Sequence, residues 1–208
     1  MKPYWIKTPA IIKKLFSGFV WDIPVTDKVV YLTFDDGPTP EITEWVLSEL
    51  EKHHAKATFF CIGNNIAHNR NIYQKVIDAG HAIGNHTYNH RNGWKTKTRD
   101  YIDNVVLCAS EMSESVNLFR PPYGKLRPSQ SRLLKKLGFT IVMWDILSAD
   151  FDRGITPETC LGNVVKHIAP GSVIIFHDSV KAFKNLEFAL PRTLQFLSDN
   201  GYRCEKIA

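Results

Sequence analysis

Val29 to Phe34 is an unbroken run of β-branched, aromatic and other strand-forming residues, and Asp35-Asp36-Gly37-Pro38 stops it. The pattern predicts a buried strand that ends in a turn enforced by glycine and proline. Between Pro40 and His53 the apolar residues Ile42, Trp45, Val46 and Leu50 recur at helical spacing, and Ala57 to Ile62 then reads as a second strand. The plan repeats: Ile72, Val76 and Ile77 lie on a helix with Gly80 near its end, and His81-Ala82-Ile83 forms a short strand. A longer helix is expected from Arg99 to Ser115, then a strand entering Phe119, a helix over Ser129 to Leu137 and a strand from Phe139 to Trp144. A helix opening at Thr156-Pro157, a strand from Ser172 to Phe176 and a last helix near Leu190 to Leu197 complete the series. Thr156 suits an N-cap and Pro157 the first helical position, where its missing donor costs nothing.

Alternating strands and helices define an α/β chain with a parallel sheet, and strand ends rich in polar residues favour a barrel, whose strand ends converge on one rim. With about seven strands, one unit short of eight, the expectation is a distorted or incomplete (β/α) barrel. Residues 1–28 contain Lys2, Lys7, Lys13 and Lys14, with Ile11, Ile12, Leu15 and Phe16 spaced like one face of a short helix. They read as an extension packed on a single domain, 29–208.

A chain of 208 residues with 44% hydrophobic composition supplies an ample core for one domain. The net charge of +5 is interspersed, and no basic run traces a nucleic-acid footprint. The four cysteines, Cys61, Cys108, Cys160 and Cys204, are widely spread and read as free thiols. No stretch approaches the roughly 18 to 20 apolar residues that a membrane span requires, and no cleavage site follows the interrupted apolar runs of the N-terminus.

Two stretches change the picture. His86 and His90 stand four residues apart, so one helical turn would place both imidazoles on the same face, where they could grip a cation. Asp35 and Asp36 close a strand, and extended backbone would send them to opposite faces, one toward a metal and the other toward a reacting water. Each motif alone has a plain explanation, since Asp-Asp-Gly-Pro makes turns and the histidine spacing arises by chance. Arg120 and His177, however, also fall at strand ends, so all these groups would project to one rim.

In order and spacing, Thr33 to Pro38 (TFDDGP), His86 to His90 (HTYNH), Arg120 to Gly124 (RPPYG), the Trp144 to Phe151 stretch and Ile175-Phe176-His177-Asp178 resemble the five motifs of the polysaccharide deacetylase family. This is the NodB-homology domain of carbohydrate esterase family 4, and the resemblance runs from about residue 29 to the C-terminus. It implies a NodB-like distorted barrel and a metal-dependent enzyme that removes N-acetyl groups from sugars such as N-acetylglucosamine in chitin or peptidoglycan. Residue by residue, it implies that Asp36, His86 and His90 bind the metal, that Asp35 is the general base and that Arg120 holds Asp35 in its charged form. It further implies that His177 is the general acid, oriented by Asp150, that the backbone N–H of Tyr123 stabilises the oxyanion, and that Tyr123, Trp144, Phe151 and Ile175 receive the acetyl group. Two imidazoles, a carboxylate and open positions suit Zn²⁺ first, with Co²⁺ or another divalent ion as the alternative.

The fourth motif departs from the family's Asp-x-x-Asp-Trp: Leu147-Ser148-Ala149-Asp150-Phe151 keeps only the second acid. Groove shape and substrate choice, seated there and near Trp94, are therefore open. Asp145, Asp152 and Asp178 have no assigned role. Three readings stand: an N-deacetylase, an O-acetyl esterase or small-molecule amidohydrolase with the same chemistry, and a carbohydrate-binding pseudoenzyme. The expected partner is an N-acetylated glycan met by a monomer. The missing signal peptide points to the cytoplasm and the substrate class to the cell envelope, which leaves the location undecided.

Overall fold

The computed structural model describes residues 4–113 and 116–208. Its strands are β1 Val29–Asp35, β2 Ala57–Cys61, β3 Ala82–Asn85, β4 Leu118–Phe119, β5 Thr140–Ile141, β6 Ile146–Leu147, β7 Val173–His177 and β8 Arg203–Cys204. The helices are α1 Ala10–Leu15, α2 Ile42–Lys52, α3 Gly63–His68, α4 Arg70–Asp78, α5 Thr98–Ser110, α6 Pro128–Lys136, α7 Pro157–Val165 and α8 Phe183–Asp199. Seven strands form one parallel sheet in the order β5-β4-β3-β2-β1-β7-β6, the half-barrel anticipated from the βα alternation. The short β8 adds in parallel to the start of β1.

β1 is buried along its whole length, which explains why its sequence is nearly continuous in apolar residues rather than alternating. Phe34 stacks on Phe59 and Phe176 of the flanking strands, with ring centroids 5.0 and 6.1 Å apart. The register then places the chemistry: Asp35 is the direct neighbour of His177, and Asn85 pairs with Phe119, which sets His86 beside Arg120.

Between the two outer strands, β5 and β6, the N-terminal segment hydrogen-bonds to both edges. Val20 bridges to Val142 and Lys7 to Ile146, with Val20 N–H donating to the Ile141 carbonyl at 2.9 Å and Leu147 N–H to that of Ile6 at 2.8 Å. Unpaired edge groups are thereby covered. Asp145, unassigned from sequence, anchors this segment. Buried between the edges, it pairs with Lys7 and Lys13, each at 2.5 Å, and accepts from the Ser172 hydroxyl at 2.7 Å.

Three elements differ from expectation. The strand read over Phe139 to Trp144 shortens to β5: Val142 N–H still donates to the Phe119 carbonyl at 2.9 Å, but Met143 N–H turns to that of Val20 at 2.7 Å, and β6 follows as a separate strand beyond the predicted span. The last helix begins at Phe183, well before Leu190, and runs through Pro191. Its buried stripe of Leu186, Leu190, Leu194 and Leu197 outweighs the one hydrogen bond that proline removes. The helix expected from Arg99 to Ser115 ends at Ser110, and its last two positions lie outside the described residues, as do residues 1–3. As expected, the Thr156 hydroxyl caps α7 by accepting from Thr159 N–H at 3.2 Å. Among the described residues no helix is long and apolar enough to cross a membrane.

Candidate metal and catalytic site

At the carboxyl ends of the central strands lies a pocket of about 460 Å³. Asp35, Asp36, His86, His90, Tyr123, Trp144, Phe151, Ile175 and His177, all picked out from sequence, line it. Arg120 and Asp150 do not: they are buried behind it and reach the pocket through Asp35 and His177. Tyr4, Leu147, Ser179 and Lys181 complete the wall and were not singled out as lining residues. Tyr4 belongs to the N-terminal segment, and no local pattern signals that it folds back beside Phe151, with ring centroids 5.8 Å apart.

Two local expectations are corrected. Asp36 is not extended: at φ 87° it lies beyond the strand in left-handed backbone, so its side chain and that of Asp35 face the same pocket rather than opposite sides. Aspartate tolerates this region better than most residues. The turn is clamped by Asp178, which accepts from Gly37 N–H at 3.0 Å and from the Thr43 hydroxyl at 2.5 Å. A Cβ at position 37 would meet Asp178 Oδ2 at 2.0 Å, which explains the glycine. Burial pushes the Asp178 carboxyl up to about 8, against the hydrogen bond from Thr43. Its sequence signal was its place directly after His177.

Nor is His86 to His90 a helical turn. Thr87 and His90 are left-handed, at φ 64° and 51°. Side-chain oxygens take the loop's backbone donors: Asn85 accepts from Thr87 N–H at 2.9 Å, and Asn104 from Tyr88 and Asn89 N–H at 3.0 Å each. Such side-chain acceptors compete directly with helical hydrogen bonds. The rings converge all the same, with centroids 5.1 Å apart.

Each imidazole is oriented through Nδ1, His86 against the Arg120 carbonyl at 2.8 Å and His90 against the Tyr123 hydroxyl at 3.1 Å. That leaves both Nε2 atoms toward Asp36, whose Oδ1 lies 3.8 Å from His86 and 3.3 Å from His90. This oxygen is buried and accepts no hydrogen bond. One ligand atom from each of the three residues lies within 4.8 Å of the others. Burial holds both histidines below the ordinary imidazole pKa, helped at His86 by the neighbouring His90. Neutral imidazoles oriented by a second hydrogen bond, facing an unsatisfied carboxylate oxygen, fit a divalent cation.

Beside this cluster Arg120 is fully buried, stacked 4.1 Å over the Phe60 ring. Its Nη1 donates to Asp35 Oδ1 and to the Thr33 hydroxyl, both at 2.7 Å, Nη2 to the Met143 carbonyl at 2.7 Å, and Nε to that of Val142 at 3.2 Å. On β7, His177 Nδ1 lies 2.8 Å from Asp150 Oδ1, while Asp150 Oδ2 accepts from His177 N–H at 2.7 Å. Burial opposes charge on this ring, but the Asp150 carboxylate and the pocket aspartates outweigh it and raise His177 to about 9.

Carboxylates and imidazoles gathered at the strand ends of a parallel half-barrel place this chain in the class of (β/α)-barrel proteins that carry their chemistry at the strand ends. Within that class the chain belongs to the polysaccharide deacetylase family, whose sequence model matches residues 22–142. One Bacillus cereus relative, a peptidoglycan-N-acetylglucosamine deacetylase, is 35% identical over 168 residues, which cover 79% of this chain and 59% of the relative. A second, of the same description and organism, is 32% identical over 195 residues, or 90% of each. The chain thus spans a little over half of the first relative and nearly all of the second. Among solved structures, a peptidoglycan N-acetylglucosamine deacetylase bound to 4-naphthalen-1-yl-N-oxidanyl-benzamide superposes with a TM-score of 0.85 at 31% identity, covering 96% of this chain and 95% of the other.

Proposed function

We propose that this chain is a divalent-metal-dependent N-deacetylase of N-acetylglucosamine units in a glycan, peptidoglycan first among the substrates to test. The carrying observation is the unsatisfied Oδ1 of Asp36, set between two neutral imidazoles and flanked by the Arg120-paired carboxyl of Asp35 and an aspartate-backed histidine. The names of the relatives support the substrate class. Asp36, His86 and His90 would hold the cation, with zinc preferred for this donor set. When bound, it would polarise the acetamide carbonyl and make a water molecule more acidic.

Asp35 takes the proton from the attacking water, and Arg120 fixes its carboxylate through the hydrogen bond from Nη1. The oxyanion meets the backbone N–H of Tyr123. As the C–N bond breaks, His177 passes its proton to the departing amine, and Asp150 stabilises the imidazolium beforehand. Trp144, Phe151, Leu147 and Ile175 form the apolar wall that accepts the acetyl methyl. A single chain supplies every one of these groups.

The test is acetate release from peptidoglycan, chitin oligomers, acetylxylan and small N-acetyl sugars, with and without Zn²⁺, Co²⁺ and Mn²⁺. We expect release from peptidoglycan or chitin oligomers, abolished by a chelator and restored by metal. Full activity after metal removal would refute the mechanism, and release from acetylxylan alone would replace the amide substrate with an ester.

The charge on His177 also sets a pH limit. The protonated ring is the competent acid, so a pKa raised to about 9 carries activity upward in pH, and loss of the proton ends it. In Asp150→Asn the supporting charge is gone, and the alkaline limb of kcat should move down by about 1 to 3 pH units. An unmoved limb would assign it to another group.

A further inference from the structure

Among the described residues the solvent-exposed aromatic side chains are Trp5, Phe16, Trp94 and Tyr123, and all four line one groove of about 400 Å³. Exposed apolar rings concentrated in one place mark a binding surface. The groove is continuous with the catalytic pocket, because Tyr4, Tyr123, Trp144 and Leu147 are walls of both.

Its two sides are held in place. Trp94 is 57% exposed, yet its Nε1–H donates to the Leu126 carbonyl at 3.3 Å, its backbone N–H to Asn92 Oδ1 at 3.0 Å, and its carbonyl accepts from Arg127 at 2.6 Å. Lys125 Nζ sits 4.0 Å from the centre of its ring. Across the groove Trp5, 59% exposed, belongs to the segment that Ile6 and Thr8 fasten to Leu147 and Asp145 by backbone hydrogen bonds of 2.8 Å each. Rigid aromatic faces with wet edges bind at small entropic cost. Pyranose rings have the matching form, with C–H faces to lie on the indoles and hydroxyl edges to meet Lys125 and water.

We propose that the groove between the N-terminal segment and the 93–95 turn is a second sugar subsite, holding units of an N-acetylated aminoglycan that adjoin the unit being deacetylated. The proposal rests on the deacetylase reading of the adjoining pocket, from which it takes the identity of the chain that would cross Tyr123. It makes Trp5 and Trp94 determinants of chain-length preference and gives the N-terminal segment a part in substrate binding.

The experiment compares wild type, Trp5→Ala, Trp94→Ala and Trp94→Phe on N-acetylglucosamine itself and on its hexamer. For the hexamer, both alanine variants should raise KM by about 10-fold with kcat preserved. Kinetics on the single sugar, which has no adjoining unit, should stay within about twofold, and Trp94→Phe should recover most of the loss. An unchanged hexamer KM, or equal losses on the single sugar and the hexamer, would overturn the subsite. If the wild type released no acetate, the deacetylase reading would fall separately, and calorimetric titration with the hexamer would still decide the groove. Binding weakened about 10-fold in the alanine variants would uphold it. No binding, or capture of anionic lipid vesicles instead, would refute it.

Discussion

Asp36→Asn is expected to lose its metal and, with it, acetate release. Asparagine is the better probe than alanine because position 36 has a φ of 87°, where alanine would add backbone strain of its own, while asparagine tolerates left-handed backbone. The change keeps the shape and removes the charge that faces His86 Nε2 and His90 Nε2. Loss of a group merely supporting a metal ligand costs about 10- to 100-fold in affinity, so loss of a ligand should exceed ~100-fold. Wild type should hold about one zinc per chain after dialysis and the variant almost none. Turnover should fall on the order of 1,000-fold, with partial recovery in excess metal. The apo protein, by contrast, should be no less stable, because wild type buries an oxygen that accepts no hydrogen bond and such a group costs about 1–3 kcal/mol. Stoichiometric zinc retained at unchanged affinity would remove Asp36 from the site.

The same residue shows how far sequence reading reaches. Most of the strands along the chain and most helix positions were legible because buried parallel strands carry near-continuous apolar runs punctuated by Gly, Pro and Asp, as in Val29 to Pro38. The short strands β4 and β5, of two residues each, were located only roughly, and β6, where Lys7 of the N-terminal segment bridges to Ile146, was missed. Strand ends converge in a half-barrel whatever the local turn geometry. Nine of the residues chosen from sequence therefore line one pocket, with Arg120 and Asp150 buried behind it, even though Asp36 is not extended and His86 to His90 is not helical.

What sequence could not disclose was long-range. Nothing near Tyr4 or Trp5 shows that Tyr4 borders the pocket and Trp5 the adjoining groove, and Lys7 and Lys13 look like ordinary surface lysines until Asp145 receives them. Asp178 was visible as a residue but not as the clamp of the Asp36 turn, because its partners Gly37 and Thr43 lie 141 and 135 positions away. The order of side chains along a chain carries strand chemistry well and cross-chain anchoring poorly.

Arg120→Met should produce the largest loss of stability of any single change in the site. The guanidinium is fully buried, and its departure leaves the buried Asp35 carboxyl without its ion-pair partner, with the Thr33 hydroxyl and the Val142 and Met143 carbonyls short of a donor. Breaking a buried ion pair by removing one partner costs about 3–5 kcal/mol, chiefly through the charge left behind. At about 2–4 °C per kcal/mol for a domain of this size, Tm should drop by roughly 6–20 °C. Arg120→Lys keeps the charge but cannot span four acceptors in one plane, so it should fall between wild type and methionine. The decisive comparison is Asp35→Asn with Arg120→Met. If the stranded carboxylate is the main penalty, the double variant should be more stable than the two single losses predict, with a coupling of about 1–3 kcal/mol. Strict additivity would mean instead that Arg120 stabilises the half-barrel by filling space over Phe60, and that its hold on Asp35 contributes little to the fold.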